Sequence, residues 1–197
     1  IVTHDFVFRL TAPRETVHFV RIGYQEGLEL EDYLEGEYIQ NELPLLPPTV
    51  YGQNSSFHPH SVVLNIGHME NVRIVFNHPD RMTHPIHLHG HKFHVMGIGY
   101  GKPEDCSLIF CTKEHFDSKN PEHRKKLVSP NEAILKDSVV MPAGGWVVIQ
   151  FVSDNPGWWF GHCHLNAHRA DGFGFMINED EENNKWTNDP KYMAQVP

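Results

Sequence analysis

Asn71-Val72-Arg73-Ile74-Val75-Phe76-Asn77 reads as one strand of a sheet. Val72, Ile74 and Phe76 alternate with Arg73 and Val75. Successive side chains of an extended chain point to opposite faces, so one face of this run meets a core. Working outward, similar short β-branched or aromatic runs occur at His4–Leu10, Thr16–Gly23, Ser61–Ile66, Lys92–Gly97, Ile134–Met141 and Gly145–Val152. Phe173–Ile177 is expected as the final strand. Gly, Pro, Asn or Asp separates most of these runs, a pattern that favours an all-β sandwich or barrel.

Three stretches break the pattern. Leu28–Tyr51 is acidic and then proline-rich, and is expected to be an irregular crossing segment. Tyr100–Pro130 is polar and reads as a long inserted loop with a short helix near Pro121–Leu127. Glu179–Pro197 is charged and poorly periodic, and is expected to lie on the surface as a tail. The division is therefore one domain over 1–178 and a polar tail over 179–197, with no internal repeat.

The chain has 197 residues, of which 40% are hydrophobic, enough for one sizeable core. Its formal net charge of -9 would repel phosphate backbones, which argues against nucleic-acid binding. Apolar stretches such as Trp146–Val152 are too short to span a bilayer. The chain opens at Ile1 with no signal peptide, which suggests a processed or truncated product.

Against 3 cysteines stand 16 histidines, and their spacing separates metal ligands from surface residues. Two clusters carry the chemistry: His84-Pro85-Ile86-His87-Leu88-His89-Gly90-His91 and His162-Cys163-His164-Leu165-Asn166-Ala167-His168. On a strand, residues two apart share a face. His162 and His164 therefore point one way and Cys163 the other, and His87 and His89 form a second same-face pair. His84 tends to the opposite side, although Pro85 makes that parity approximate. Two metal sites follow, one of Cys163, His84 and His168, and one of His87, His89, His162 and His164. A thiolate with two imidazoles is the donor set of blue copper centres, and clustered imidazoles suit copper, zinc or iron. His91 and His94 are expected near the site or in solvent rather than as ligands. His4, His18, His58, His60, His68, His78, His115 and His123 lack partner spacing and are expected at the surface.

These segments resemble the two C-terminal copper motifs of the multicopper oxidases, the family of laccases, ascorbate oxidases and ferroxidases. The likeness runs from about Ser61 to Ile177, and Lys136–Gly161 is similar to the strand pair leading into the second motif. The resemblance implies a cupredoxin-type Greek-key β-sandwich or barrel. It implies that His84, Cys163 and His168 hold a type 1 copper, His87 the type 2 copper, and His89, His162 and His164 the type 3 pair. The axial position, ten residues after the cysteine, falls on Phe173, which cannot ligate. Such a copper would be three-coordinate with its reduced form favoured. Asn166 and Arg169 stand where some relatives carry acids for proton transfer, which leaves Asp171 as the nearest carboxylate.

The implied function is that of a laccase-like oxidase domain. A phenol or aromatic amine gives single electrons at the type 1 copper, by way of His84 or His168. Cys163, His162 and His164 carry them to a three-copper cluster that reduces oxygen to water. In the family that cluster draws on four His-x-His motifs, and this chain supplies two; the remaining His58-Pro59-His60 lacks the flanking pattern. N-terminal cupredoxin domains, in another segment or chain, are the expected partner. The alternatives are an electron-transfer cupredoxin without oxidase activity, a ferroxidase of the same family, and a zinc-binding structural domain. Cys106 and Cys111, spaced for a disulfide, and the glycosylation sequon Asn54-Ser55-Ser56 lean towards a secreted, extracellular glycoprotein.

Overall fold

A computed structural model describes residues 1–11, 21–26, 39–40, 63–78, 82–101, 115–170 and 173–184. In chain order the strands are β1 (His4–Thr11), β2 (Arg21–Glu26), β3 (Ile39–Gln40), β4 (Val63–Ile66), β5 (Asn71–Asn77) and β6 (His84–Leu88). They continue with β7 (Phe93–Gly99), β8 (Ile134–Lys136), β9 (Ser138–Met141), β10 (Trp146–Val152), β11 (Gly157–Cys163) and β12 (Gly174–Glu179). Among the described residues two short α-helices join them, α1 (Pro121–Arg124) and α2 (Asn166–Ala170). The strands form a seven-stranded sheet, ordered β3-β2-β1-β5-β10-β7-β8, and a five-stranded sheet, ordered β4-β12-β11-β6-β9. The sandwich-or-barrel alternative thus resolves into two sheets. Most pairs are antiparallel, but β1 joins β5 and β4 joins β12 in parallel, which requires long crossovers rather than hairpins.

The core lies between the sheets. Val72, Ile74 and Phe76 of β5 and Val147, Ile149 and Phe151 of β10 meet Ile86, Leu88, Phe175 and Ile177 from the other sheet. Phe8 stacks on Phe76 at 5.4 Å between ring centroids and tilts against Phe175 at 4.7 Å. The alternation along β5 does not leave its second face in water, however. Val75 packs in a separate cluster with Met96, Phe116, Trp146 and Val148. Asn77 holds Phe116 over that face, its amide donating to Phe116 O (3.1 Å) and its side-chain oxygen accepting from Phe116 N (2.8 Å).

Several expectations need correction. The run Ile134–Met141 is two strands: β8 lies at the edge of the seven-stranded sheet, and β9 at the edge of the five-stranded one. The chain changes sheet at Asp137, a corner device of β-sandwiches. Ile39–Gln40 forms a strand inside the segment expected to be irregular, and the rest of 28–51 lies outside the described residues. The tail does not begin at Glu179, which ends β12 and is fully buried; Asn184 is buried too, beyond a 3-10 turn at Glu181–Asn183. Those residues are polar, so hydropathy alone hides their burial. The short helix falls at Pro121–Arg124, started by the Asn120 side chain accepting from Glu122 N. Residues 185–197, Cys106, Cys111 and Asn54–Ser56 lie outside the described residues. Among the described residues, no helix is long and apolar enough to cross a membrane.

Gly161 shows how tightly β11 seats on the core. A Cβ added there would come 2.2 Å from Phe175 Cζ, and Phe175 is itself hemmed in by Phe8 and Phe76. Gly161→Ala is therefore expected to destabilise the chain by about 1–3 kcal/mol through overpacking. A lower urea midpoint at unchanged slope would report it; an unshifted midpoint would contradict this packing.

Candidate metal centres

β11 pairs with β6 so that Cys163 stands opposite Ile86 and His162 opposite His87. Cys163 and Ile86 face the core, while His162 and His87 face the other side of the five-stranded sheet. Two clusters therefore form on opposite faces of the same strand pair. The strand ends at Cys163, and His164 is held just beyond it by its N–H donating to Pro85 O at 2.7 Å.

On the inner side, Cys163 Sγ lies 3.6 Å from His84 Nδ1 and 3.8 Å from His168 Nδ1, and the two ring nitrogens are 3.0 Å apart. Among the described residues this is the group of histidine, cysteine and acidic side chains whose ligand atoms converge closely enough to share a metal ion. Cys163 and His84 are buried, and His168 is half-exposed. His168 is delivered by α2, whose closure is fixed by Phe173 N donating to His168 O at 2.9 Å and Cys163 N donating to Phe173 O at 3.0 Å. Phe173 is fully buried, its ring 5.0 Å from that of His84.

The donor set fits a copper ion. Bonds of the length zinc makes, about 2.0–2.1 Å to nitrogen and 2.3 Å to sulfur, place S and N about 3.8 Å apart in a trigonal set, close to the two S–N distances seen, while the 3.0 Å between the nitrogens is shorter than the roughly 3.6 Å of such a set. Burial pushes the Cys163 thiol up to about 11, so it keeps its proton at neutral pH unless a cation replaces it. A buried soft sulfur with two imidazoles selects copper over hard cations.

On the outer side four imidazoles gather. Ring centroids are 4.8 Å apart for His87–His89, 5.1 Å for His89–His162, 5.6 Å for His162–His164 and 5.8 Å for His87–His164. Main-chain carbonyls set the tautomers of two of them, His87 and His162. His87 Nδ1 donates to Asp137 O at 2.9 Å, beside Ser138 Oγ at 3.0 Å, and His162 Nδ1 donates to Cys163 O at 2.9 Å. The Nε2 atom of each ring is thus the one left to bind, the arrangement that orients metal-bound histidines generally. His162 Nε2 and His89 Nε2 face each other at 3.0 Å. Burial, then repulsion from His87, His164 and Arg169, lowers the His89 pKa. Burial also lowers that of His162, against a rise from the Cys163 carbonyl. Both effects favour the neutral imidazole, which is the ligating form. His162 is buried, but His89 and His164 are exposed.

The structure brings together every residue expected at the two sites. It also shows what spacing could not. His78, expected at the surface, is buried, and its ring meets that of His84 edge-on at 4.7 Å. It stands six residues before His84, beyond the end of β5, so no periodicity links the two. His91 is likewise buried, 2.7 Å from the Glu179 carboxylate. Asp137 contributes through its carbonyl, which no residue-type pattern reveals. His18, His58, His60 and Asp171 lie outside the described residues.

Comparison with known proteins follows this geometry. The sequence model of the multicopper oxidase family matches residues 29–183. Laccase-25 of Oryza sativa subsp. japonica is 31% identical over 129 residues, 66% of this chain and 19% of that protein. Laccase-3 of Arabidopsis thaliana is 36% identical over 110 residues, 54% of this chain and 16% of that protein. The chain thus spans only a small part of these relatives. Among solved structures, Fet3p, a multicopper oxidase that functions in iron import, superposes with a TM-score of 0.67 at 22% identity, covering 99% of this chain and 35% of that one. The laccase of Botrytis aclada superposes at 0.53 with 18% identity, covering 98% and 32%. At such identities the superpositions establish the fold, a cupredoxin-type β-sandwich. The family match takes in well over half of the chain and both histidine motifs, and this chain belongs to the multicopper oxidase family.

Proposed function

We propose that the chain is the C-terminal copper-binding domain of a secreted laccase-like oxidase. The whole enzyme would oxidise phenols or aromatic amines one electron at a time and reduce oxygen to water. The observation that carries this reading is the back-to-back placement of a Cys-His-His set and a four-histidine set on opposite faces of β6 and β11. When bound, copper supplies the one-electron redox chemistry.

His84, Cys163 and His168 would hold the type 1 copper, His87 the type 2 copper, and His89, His162 and His164 the type 3 pair. The chain's own residues do the rest. His84 is fully buried and His168 half-exposed, so a reducing substrate meets the site at the His168 edge. Phe173 fills the core beside His84 and keeps water and a further ligand away. Cys163 is covalently joined to His162 and His164, the shortest route between the two faces. The four-histidine set is open towards solvent at His89 and His164, and N-terminal cupredoxin domains would close it with the remaining imidazoles. An electron-transfer cupredoxin would leave those four histidines without a task.

Cys163→Ser is expected to abolish the intense blue absorption while the histidine-bound copper largely stays, by metal analysis and spectrum. A surviving thiolate band would refute the ligand assignment. Phe173→Met is expected to lower the type 1 reduction potential, since an axial thioether favours the oxidised metal; redox titration of both proteins checks this. The purified 197-residue chain, supplied with copper and a phenol, is expected to bind type 1 copper without sustained oxygen uptake. Four-electron turnover by this chain as a monomer would overturn the shared cluster.

A further inference from the structure

Glu179 is the last residue of β12, and its carboxylate is wholly shielded from water. A buried carboxylate is costly unless donors surround it. Here Oε2 lies 2.7 Å from His91 Nε2, whose side chain is also buried, and Oε1 accepts from Asn155 N at 2.6 Å. Asn155 reaches on: its side-chain amide donates to Gly90 O at 2.9 Å, and its own carbonyl accepts from Trp159 Nε1 at 2.6 Å. The Trp159 indole lies directly on Gly90, where a Cβ would come 2.2 Å from Cδ2, and Gly90 has a φ of 75°. Only glycine suits both constraints.

These contacts converge on the turn His89-Gly90-His91. One end is fixed by His89 N donating to Phe160 O at 3.0 Å, the middle by Asn155, and the far end by Glu179. His89 itself is exposed, its ring set beside those of His87, His162 and Phe160.

We propose that Glu179, His91 and Asn155 form a clamp that positions His89 towards His162, making Glu179 a positioning residue for the four-histidine site. The inference rests on the reading of that set as copper-binding. Its physical content is that a buried carboxyl side chain on one strand fixes a turn between two others, so that an exposed imidazole is aimed before metal arrives. Loss of outer contacts of this kind lowers metal affinity about 10–100-fold.

The test is a Cu(II) titration of the full 197-residue chain against a competing chelator, followed by electron paramagnetic resonance and by the blue absorption. Together these separate the thiolate site from the imidazole site. Glu179→Leu is expected to weaken copper at the histidine set about tenfold or more while leaving the blue band in place. Glu179→Gln is expected to restore most of the affinity, because the amide keeps the shape of the side chain and its oxygen can still accept from Asn155 N. Asn155→Ala removes only the hold on Gly90 and should give a smaller loss at the same site. Should Glu179→Leu fail to fold, Asn155→Ala decides. Equal weakening of both sites, or an unchanged histidine site in Asn155→Ala and Glu179→Leu, would overturn the clamp. A native chain that takes up copper only at the thiolate site would instead overturn the reading beneath it, before any substitution is made.

Discussion

The register of one strand pair governs the chemistry of this domain. With His162 opposite His87 and Cys163 opposite Ile86, the twofold alternation of an extended chain sends a thiol into the core and an imidazole away from it. A slip of one residue would exchange the faces, placing the sulfur outside and a basic ring among phenylalanines. The aromatic core prevents that slip, because Gly161 has no side chain and Phe175 occupies the space beside it. Core packing and donor geometry are consequently the same constraint, imposed on neighbouring residues of β11.

The two faces also differ in dielectric, and the difference suits their chemistry. The thiol is in a dry setting that holds its proton, so only a cation able to bind sulfur strongly can displace it. The imidazoles sit partly in water, and burial together with mutual repulsion keeps His89 and His162 neutral.

Much of this was legible in the sequence because spacing on a strand is a geometric statement. Val72, Ile74 and Phe76 face the core as the alternation requires, and the parity of His162, Cys163 and His164 separates the two donor sets. What escaped had no local period. Val75 is covered because Phe116, far along the chain, is tied down by Asn77. The break at Asp137 is invisible in a run of β-formers, since strand switching depends on which sheet edges are free. Glu179 was read as the start of a surface tail, and His91 was left between the site and solvent, because each was read without its partner, and pairing across strands is a tertiary fact. His78 was hidden in the same way, since its ring meets that of His84 across a stretch with no strand period.

Several of the contacts that aim these imidazoles come from the main chain. Asp137 O receives His87, and Cys163 O receives His162. A carbonyl belongs to every amino acid, so the side chain at position 137 can drift without disturbing the ring it supports. Such sites are tolerant of point substitution and vulnerable to single-residue insertions or deletions, which shift the carbonyl itself. In a set of divergent sequences, the length of the Ile134–Met141 segment would then be kept more strictly than the identity of the residue at its corner.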